Sequence, residues 1–512
     1  MSVLGVVALA CASPARATGA PAFDALVDQA VQHYQLPGIA VGVIEDGKVV
    51  YRGTRGVLAV GEGRQVDADT LFKIASNTKA MTAALLARLV QAGKLRWDDP
   101  VTKHLPQFRM YDPWVTANMQ VRDLLIHNSG LGLGAGDLML WPEPNQFDRA
   151  DIIAGLAHLR PVSSFRSGYA YDNLLYVVAG EVAAAAGGKP YAQLVRQEIF
   201  QPLGLQRCQV GAWSPARVGN IALPHSRQAG HNIAAAPDPA TVDDFPSMAA
   251  GGIRCGLNDM LRWMQVLLDP ALVPGWLDAT RRRELWTAHM PMPISQRLRD
   301  WDNTRFYAYG YGWRLSDMDG QWKVAHTGTL SGMYSSLALL PDRKTGVVIL
   351  VNTEAEDART ALMQALLKQY TAAQAAPDVL HYAGLIAEGQ RQRHAAGQHA
   401  PDTSDRTAAT AAEFSTHAGV WRDPWFGEVR LCPHGDAVGF ASVKSPQLRG
   451  QVMRWQARWL VQWPQLGEDA EAWLEFGQDG EGPVLRMNAI DPDIDFSYDY
   501  QDLQFRRIGD CG

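Results

Sequence analysis

The chain is short of several things, and each shortage excludes a class of behaviour. Its net charge is only −6 and no basic block stands out, so nucleic acid is not expected as a partner. No apolar run reaches the roughly 20 residues that a membrane-crossing helix needs. A Gly-x-Ser-x-Gly elbow is missing, and so is a His-Glu-x-x-His metal pair. Charged residues are 20% against 47% hydrophobic, a balance that supports a large packed core and excludes wholesale disorder. Cysteine is scarce, five in 512 residues, and the spacing does not resemble a zinc site.

What is present begins with an apolar run, VLGVVALACA, followed by Ala15-Arg16-Ala17. This reads as an export signal over residues 1–17, although no Lys or Arg precedes the run. Export implies a secreted or periplasmic protein in an oxidising place. Of the four remaining cysteines, Cys432 and Cys511 both lie in the C-terminal region. The four are expected to be buried thiols or to form one structural bridge, for which Cys432–Cys511 is the leading pair.

Residues 22–370 read as one mixed α/β (α+β) unit. GIAVGVIEDGKVVYRGTRG gives two strands around an Asp46-Gly47 turn. KAMTAALLARLVQAGK is apolar almost all round, hence a buried helix, with Gly93 placed to end it. WKVAHTG, MYSSLALLP and GVVILVN are late strands. Strands at both ends of the unit predict one sheet in which the first and last meet. Residues 371–412 read as a linker with a partial helix at VLHYAGLIAEGQ. From 413 to 512, short strands such as GEVRLCP, AVGFASV, MRWQARWLVQW and VLRMNAI alternate with turn residues, as in a small antiparallel barrel. Trp455, Trp459, Trp463 and Trp473 are expected to fill its core.

Three short stretches carry chemistry. In Ser76-Asn77-Thr78-Lys79, the hydroxyl and the amine stand at i and i+3 and share a helix face. That sets a weak nucleophile beside a group able to take its proton. Tyr171-Asp172-Asn173 precedes a helix. It offers a cap, or a proton-transfer tyrosine and a positioning amide. His326-Thr327-Gly328 ends a strand, where glycine permits close approach and histidine can carry a proton. A literal Lys344-Thr345-Gly346 reads instead as a turn between two strands. His127 reads as structural.

Together these three stretches resemble the motifs of the serine β-lactamase and penicillin-binding-protein superfamily, in its class C-like branch of β-lactamase-related hydrolases. Tyr309-Gly310-Tyr311-Gly312-Trp313 and LLPDRKTGVVILVN look similar to the same branch. The C-terminal part resembles a lipocalin-like β-domain. The resemblance implies a β-lactamase/transpeptidase-like fold, an antiparallel sheet flanked by helices, and no metal or cofactor. Ser76 would form an acyl-enzyme, and Lys79 and Tyr171 would share the proton work, with the base undecided. Asn173 would hold Lys79 and a substrate amide, with Thr327 and Gly328 lining the substrate. Backbone N–H groups of Ser76 and Thr329 would form the oxyanion hole. His326 stands where many relatives carry lysine, so a permanent cation for a substrate carboxylate is expected to be missing, which argues against efficient β-lactam hydrolysis.

The leading expectation is an exported serine hydrolase of a small peptide or D-amino-acid derivative. A β-lactamase or penicillin-binding D-alanyl carboxypeptidase is the second reading. The third is a non-catalytic acylated sensor or binding module. The C-terminal domain is a candidate for ligand binding or homo-oligomerisation.

Overall fold

In the computed structural model, which describes residues 20–372, 376–397 and 399–511, the chain first reverses at Asp46-Gly47. Both residues have positive φ, 48° and 74°, as a two-residue type I′ hairpin turn requires. The turn joins β1 (Gly38–Glu45) to β2 (Lys48–Gly56). The later strands are β3 (Met290–Pro291), β4 (Tyr307–Tyr309), β5 (Arg314–Met318), β6 (Gln321–Leu330), β7 (Met333–Leu340) and β8 (Thr345–Val351). They form one antiparallel sheet ordered β2-β1-β8-β7-β6-β5-β4-β3. First and last strands meet as expected, with Ile39 opposite Val351 and Val43 opposite Val347.

Every residue of β8 is buried, so helices must cover the sheet on both sides. One layer holds α1 (Ala20–Tyr34), whose Phe23 and Val27 pack with Ile39, Val41 and Ile349. The other face carries α2 (Thr78–Gln91), α3 (Leu174–Gly187) and α4 (Leu257–Leu268). Thr78 through Ala87 are all buried, so α2 is a core helix, and Gly93 follows its end at φ 68°. Back on the α1 side lies α5 (Glu356–Thr371), joined by α6 (Val379–Ala395), which runs longer than its sequence suggested. Among the described residues, no helix is long and apolar enough to cross a membrane. The expected signal at 1–17 lies outside the described residues.

The C-terminal strands are β9 (Gly419–Asp423), β10 (Gly427–His434), β11 (Ala437–Ser442), β12 (Arg449–Trp455), β13 (Arg458–Gln462), β14 (Ala472–Asp479), β15 (Gly482–Ala489) and β16 (Gln504–Gly509). Pairing of β12 with β13 closes them into an eight-stranded antiparallel barrel. The run read as one strand at 453–463 is a hairpin, turned at Gln456 with φ 53°. Trp463 and Trp473 are buried, while Trp455 and Trp459 are half-buried.

Cys432 and Cys511 are bonded, as expected. Cys208 and Cys255 are bonded too, which corrects the expectation of a single bridge. Gln209 pairs with Arg254 across an isolated β-bridge, and that pairing brings the flanking cysteines to a Cα separation of 4.2 Å. The barrel docks on the larger unit through the Lys444–Asp151 ion pair at 2.6 Å. The Phe147 and Phe426 rings, 5.7 Å apart, and a loop that reaches the site add to the contact.

Candidate active site

Ser76 stands on a strained turn. Ala75 before it has φ 49°, a left-handed conformation that costs a residue with a Cβ about 1–3 kcal/mol. The turn is pinned from β7, where Ser335 Oγ donates to the Ile74 carbonyl at 2.7 Å and accepts from Asn77 Nδ2 at 2.8 Å. Strand β6 runs close beside it. A Cβ at Gly328 would sit 2.2 Å from the Ile74 oxygen, so only glycine allows this approach. Buried Arg359 of α5 clamps the strand from behind, donating to the Gly328 carbonyl at 2.7 Å and to Thr329 Oγ1 at 3.0 Å.

Lys79 is fully buried in the first turn of α2. Its Nζ lies 3.1 Å from Ser76 Oγ, 2.7 Å from Asn173 Oδ1 and 2.9 Å from the Ala250 carbonyl. Burial pulls its pKa down to about 7, against the pull of Asp137 and Asp172 and with the help of Arg314. Asn173 is itself oriented, because its Nδ2 donates to Asp137 Oδ2 at 2.7 Å. The helix-cap contact at α3 falls to Asp172, whose Oδ1 accepts from the Leu175 N–H at 3.1 Å. That leaves the Asn173 amide for Lys79.

The Tyr171 ring lies 4.8 Å from Lys79 Nζ. Burial holds its phenol well above the usual range, only partly offset by the Ser76 hydroxyl and Arg314. His326 is buried with both ring nitrogens engaged, Nδ1 against the Thr327 carbonyl at 2.7 Å and Nε2 against the Tyr309 hydroxyl at 2.8 Å. Since a carbonyl only accepts, Nδ1 carries the proton and Nε2 accepts from Tyr309. Burial and the nearby Arg314 and Lys79 keep this ring neutral. His127 packs among Tyr169, Tyr171, Tyr176 and Tyr309. Lys344 stays in its turn, half-exposed and 3.9 Å from Asp269.

Three residues that the sequence reading passed over belong to this site: Asp137, Arg359 and Arg314. Arg314 directly follows the Tyr-Gly-Tyr-Gly-Trp segment, and its Nη1 donates to Thr327 Oγ1 at 2.8 Å. Its guanidinium lies 5.9 Å from the Tyr171 ring, and among the described residues it pairs with no carboxylate. Position 326 itself holds a neutral histidine, and a permanent positive charge, Arg314, stands near it. Arg314 lies on β5, the strand next to β6.

Comparison with known proteins agrees with this geometry. The family model described as Beta-lactamase matches residues 23–370. "Penicillin-binding protein 4" of Amycolatopsis lactamdurans is 29% identical over 336 residues, covering 64% of this chain and 83% of that protein. "Esterase EstB" of Burkholderia gladioli is 31% identical over 385 residues, covering 65% and 90%. The solved octameric penicillin-binding protein homologue from Pyrococcus abyssi superposes with a TM-score of 0.59 at 18% identity, over 94% of this chain and 98% of that one, a likeness of fold. With a family match across most of the chain and three motifs gathered around one buried lysine, the chain belongs to the beta-lactamase family, among serine hydrolases of the β-lactamase, penicillin-binding-protein and esterase type.

Proposed function

We propose that the protein is an exported serine hydrolase that cleaves an amide or ester through an acyl-enzyme on Ser76. The observation that carries this reading is the 3.1 Å contact between Lys79 Nζ and Ser76 Oγ, with the lysine pKa brought down to about 7. As a neutral amine, Lys79 gives its two N–H bonds to Asn173 Oδ1 and the Ala250 carbonyl. Its lone pair then faces the serine hydroxyl. Lys79 takes the Ser76 proton while Oγ attacks the carbonyl carbon. The N–H groups of Ser76 and Thr329 hold the oxyanion, a kind of contact worth about 2.7–4 kcal/mol per donor. Tyr171 keeps its proton and passes it to the leaving group as the carbonyl re-forms, and Lys79 returns its own proton to the phenolate. Water, activated by the same pair, then releases the acid. His326 serves as a scaffold for Tyr309 and β6.

Arg314 and Thr327 favour a substrate that ends in a carboxylate, since guanidinium–carboxylate pairing is both strong and directional. A small peptide or D-amino-acid derivative with a free C-terminus fits. The same cation favours the β-lactam or D-alanyl carboxypeptidase reading as a second possibility of substrate. The two disulfides support export to an oxidising compartment.

The test is a substrate panel on pure protein with Ser76→Ala and Arg314→Gln. Ser76→Ala should lose both fluorophosphonate labelling and turnover of p-nitrophenyl esters, and retention of either sinks the reading. Peptides with a free C-terminal acid should outpace their amides in the wild type and lose that lead in Arg314→Gln. Nitrocefin turnover separates the β-lactam reading, and a persistent acyl adduct by intact mass would mark a sensor.

A further inference from the structure

The barrel reaches the site through the loop between β15 and β16. Within that loop Asp499 is fully buried, and it grips the other unit. Its Oδ1 accepts from the Leu138 N–H at 3.0 Å and its Oδ2 from the Gly136 N–H. Those two peptide groups flank Asp137. Asp137 is also fully buried. Its Oδ2 holds Asn173, and its Oδ1 has no partner among the described residues.

The segment bearing Asp137 is rich in glycine. It reads Gly132-Leu133-Gly134-Ala135-Gly136, with φ 70° at Gly134 and 79° at Gly136. Its own turn bonds, such as the Asp137 N–H to the Gly134 carbonyl at 2.9 Å, shape it, and neighbouring elements pack tightly on its glycines. A Cβ at Gly134 would lie 2.4 Å from the Phe496 carbonyl, and one at Gly136 would lie 2.4 Å from Leu174 Cδ2. The strap is thus threaded between the barrel loop and α3, and the Gly134 N–H donates to the Tyr171 carbonyl at 2.8 Å. The Phe496 ring closes over Tyr171 at 5.7 Å, edge to face.

We propose that Asp499 and Asp137 are positioning residues for Lys79, acting in series through the strap and the Asn173 amide. This rests on the reading of Ser76 and Lys79 as nucleophile and base. An Asn side chain has two ends of nearly equal shape. If Asn173 flipped, an N–H would face Lys79 and one of its carbonyl partners would be lost. Asp137 prevents the flip by accepting at Nδ2, since that end can only donate. Asp499 fixes Asp137 by holding the peptide groups on both sides of it. The barrel is then part of the catalytic apparatus.

The experiment measures fluorophosphonate labelling and p-nitrophenyl butyrate hydrolysis on the full chain, with thermal unfolding of each variant. Asp137→Ala should lose about 10- to 100-fold in kcat, the scale of a misplaced catalytic group, with KM changed by less than about twofold. Asp137→Asn, whose amide oxygen still accepts, should recover most of that loss. Asp499→Ala should fall like Asp137→Ala, and Asp499→Asn, which keeps one acceptor, should lie between. Lys444→Ala removes the Lys444–Asp151 pair elsewhere on the same interface and should keep wild-type rates, a readout that general loosening of the interface would move. Folded Ala variants with wild-type rates overturn the proposal, as does Asp137→Asn as slow as Asp137→Ala. If the Ala variants do not fold, the Asn pair decides: Asp499→Asn slower than Asp137→Asn supports the relay, and the reverse order overturns it. Turnover by Ser76→Ala would instead remove the reading of the site itself. A dead Ser76→Ala beside undisturbed Asp variants removes the relay alone.

Discussion

Lys79 changes what it can do with one proton. As an ammonium it donates to Ser76, Asn173 and Ala250 together, and the serine stays inert. Burial lowers its pKa from the free-lysine value to about 7, so the reactive amine appears as pH rises through that value. Ester hydrolysis measured as kcat/KM should therefore climb about tenfold per pH unit below pH ~7 and level above it. A limb near the free-lysine value would overturn the lowered pKa of Lys79. Ser76, Lys79, Tyr171 and Asn173 were legible in the sequence because each motif is local and their order is informative. Arg314 was not, because its partner Thr327 lies on a neighbouring strand, and strand register is a tertiary fact. The identity of His326 was legible, but its protonation was not. Only the structure shows the Thr327 carbonyl and the Tyr309 hydroxyl that occupy its two nitrogens.

Strand β6 is the element on which site geometry depends most. It passes the Ser76 turn at glycine distance and is clamped from behind by Arg359. In Gly328→Ala the new methyl must push either the strand or the turn. Loss of one aligned oxyanion donor typically costs about 10²–10³ in kcat, and a fall of that order is expected. It can be read by labelling rate beside a melting curve, and near-normal labelling would mean that the strand can shift freely. β1, β7 and β8 were readable as apolar runs, and β2 and β6 because short turns join them to β1 and β7. β9 and β16 escaped because each mixes a buried aromatic, Trp421 or Phe505, with arginines on the outer face. β12 and β13 merged because Gln456-Ala457 makes their turn without Gly, Pro or Asn.

The molecule as a whole is two units that meet beside the candidate site. Their existence was visible in the change of composition over 371–412, but their joint was not, since Asp499 in DFSYDYQD reads as an ordinary turn residue. The Cys432–Cys511 bridge spans 79 residues of the barrel. Replacing both by Ser should cost the barrel about 2–5 kcal/mol. The loss should appear as an earlier thermal transition followed through the fluorescence of buried Trp421 and Trp463. An unchanged transition would mean that the bridge adds nothing.

The pairing of β1 with β8 also governs how the molecule is made. One edge of β1 closes quickly against β2, but the other waits for a strand synthesised more than half a chain later. Closing so long a loop is slow, and an open strand edge templates wrong pairing meanwhile. A nascent chain halted anywhere between β2 and β8 therefore exposes the centre of its own sheet, and assembly hinges on the moment Val351 arrives beside Ile39.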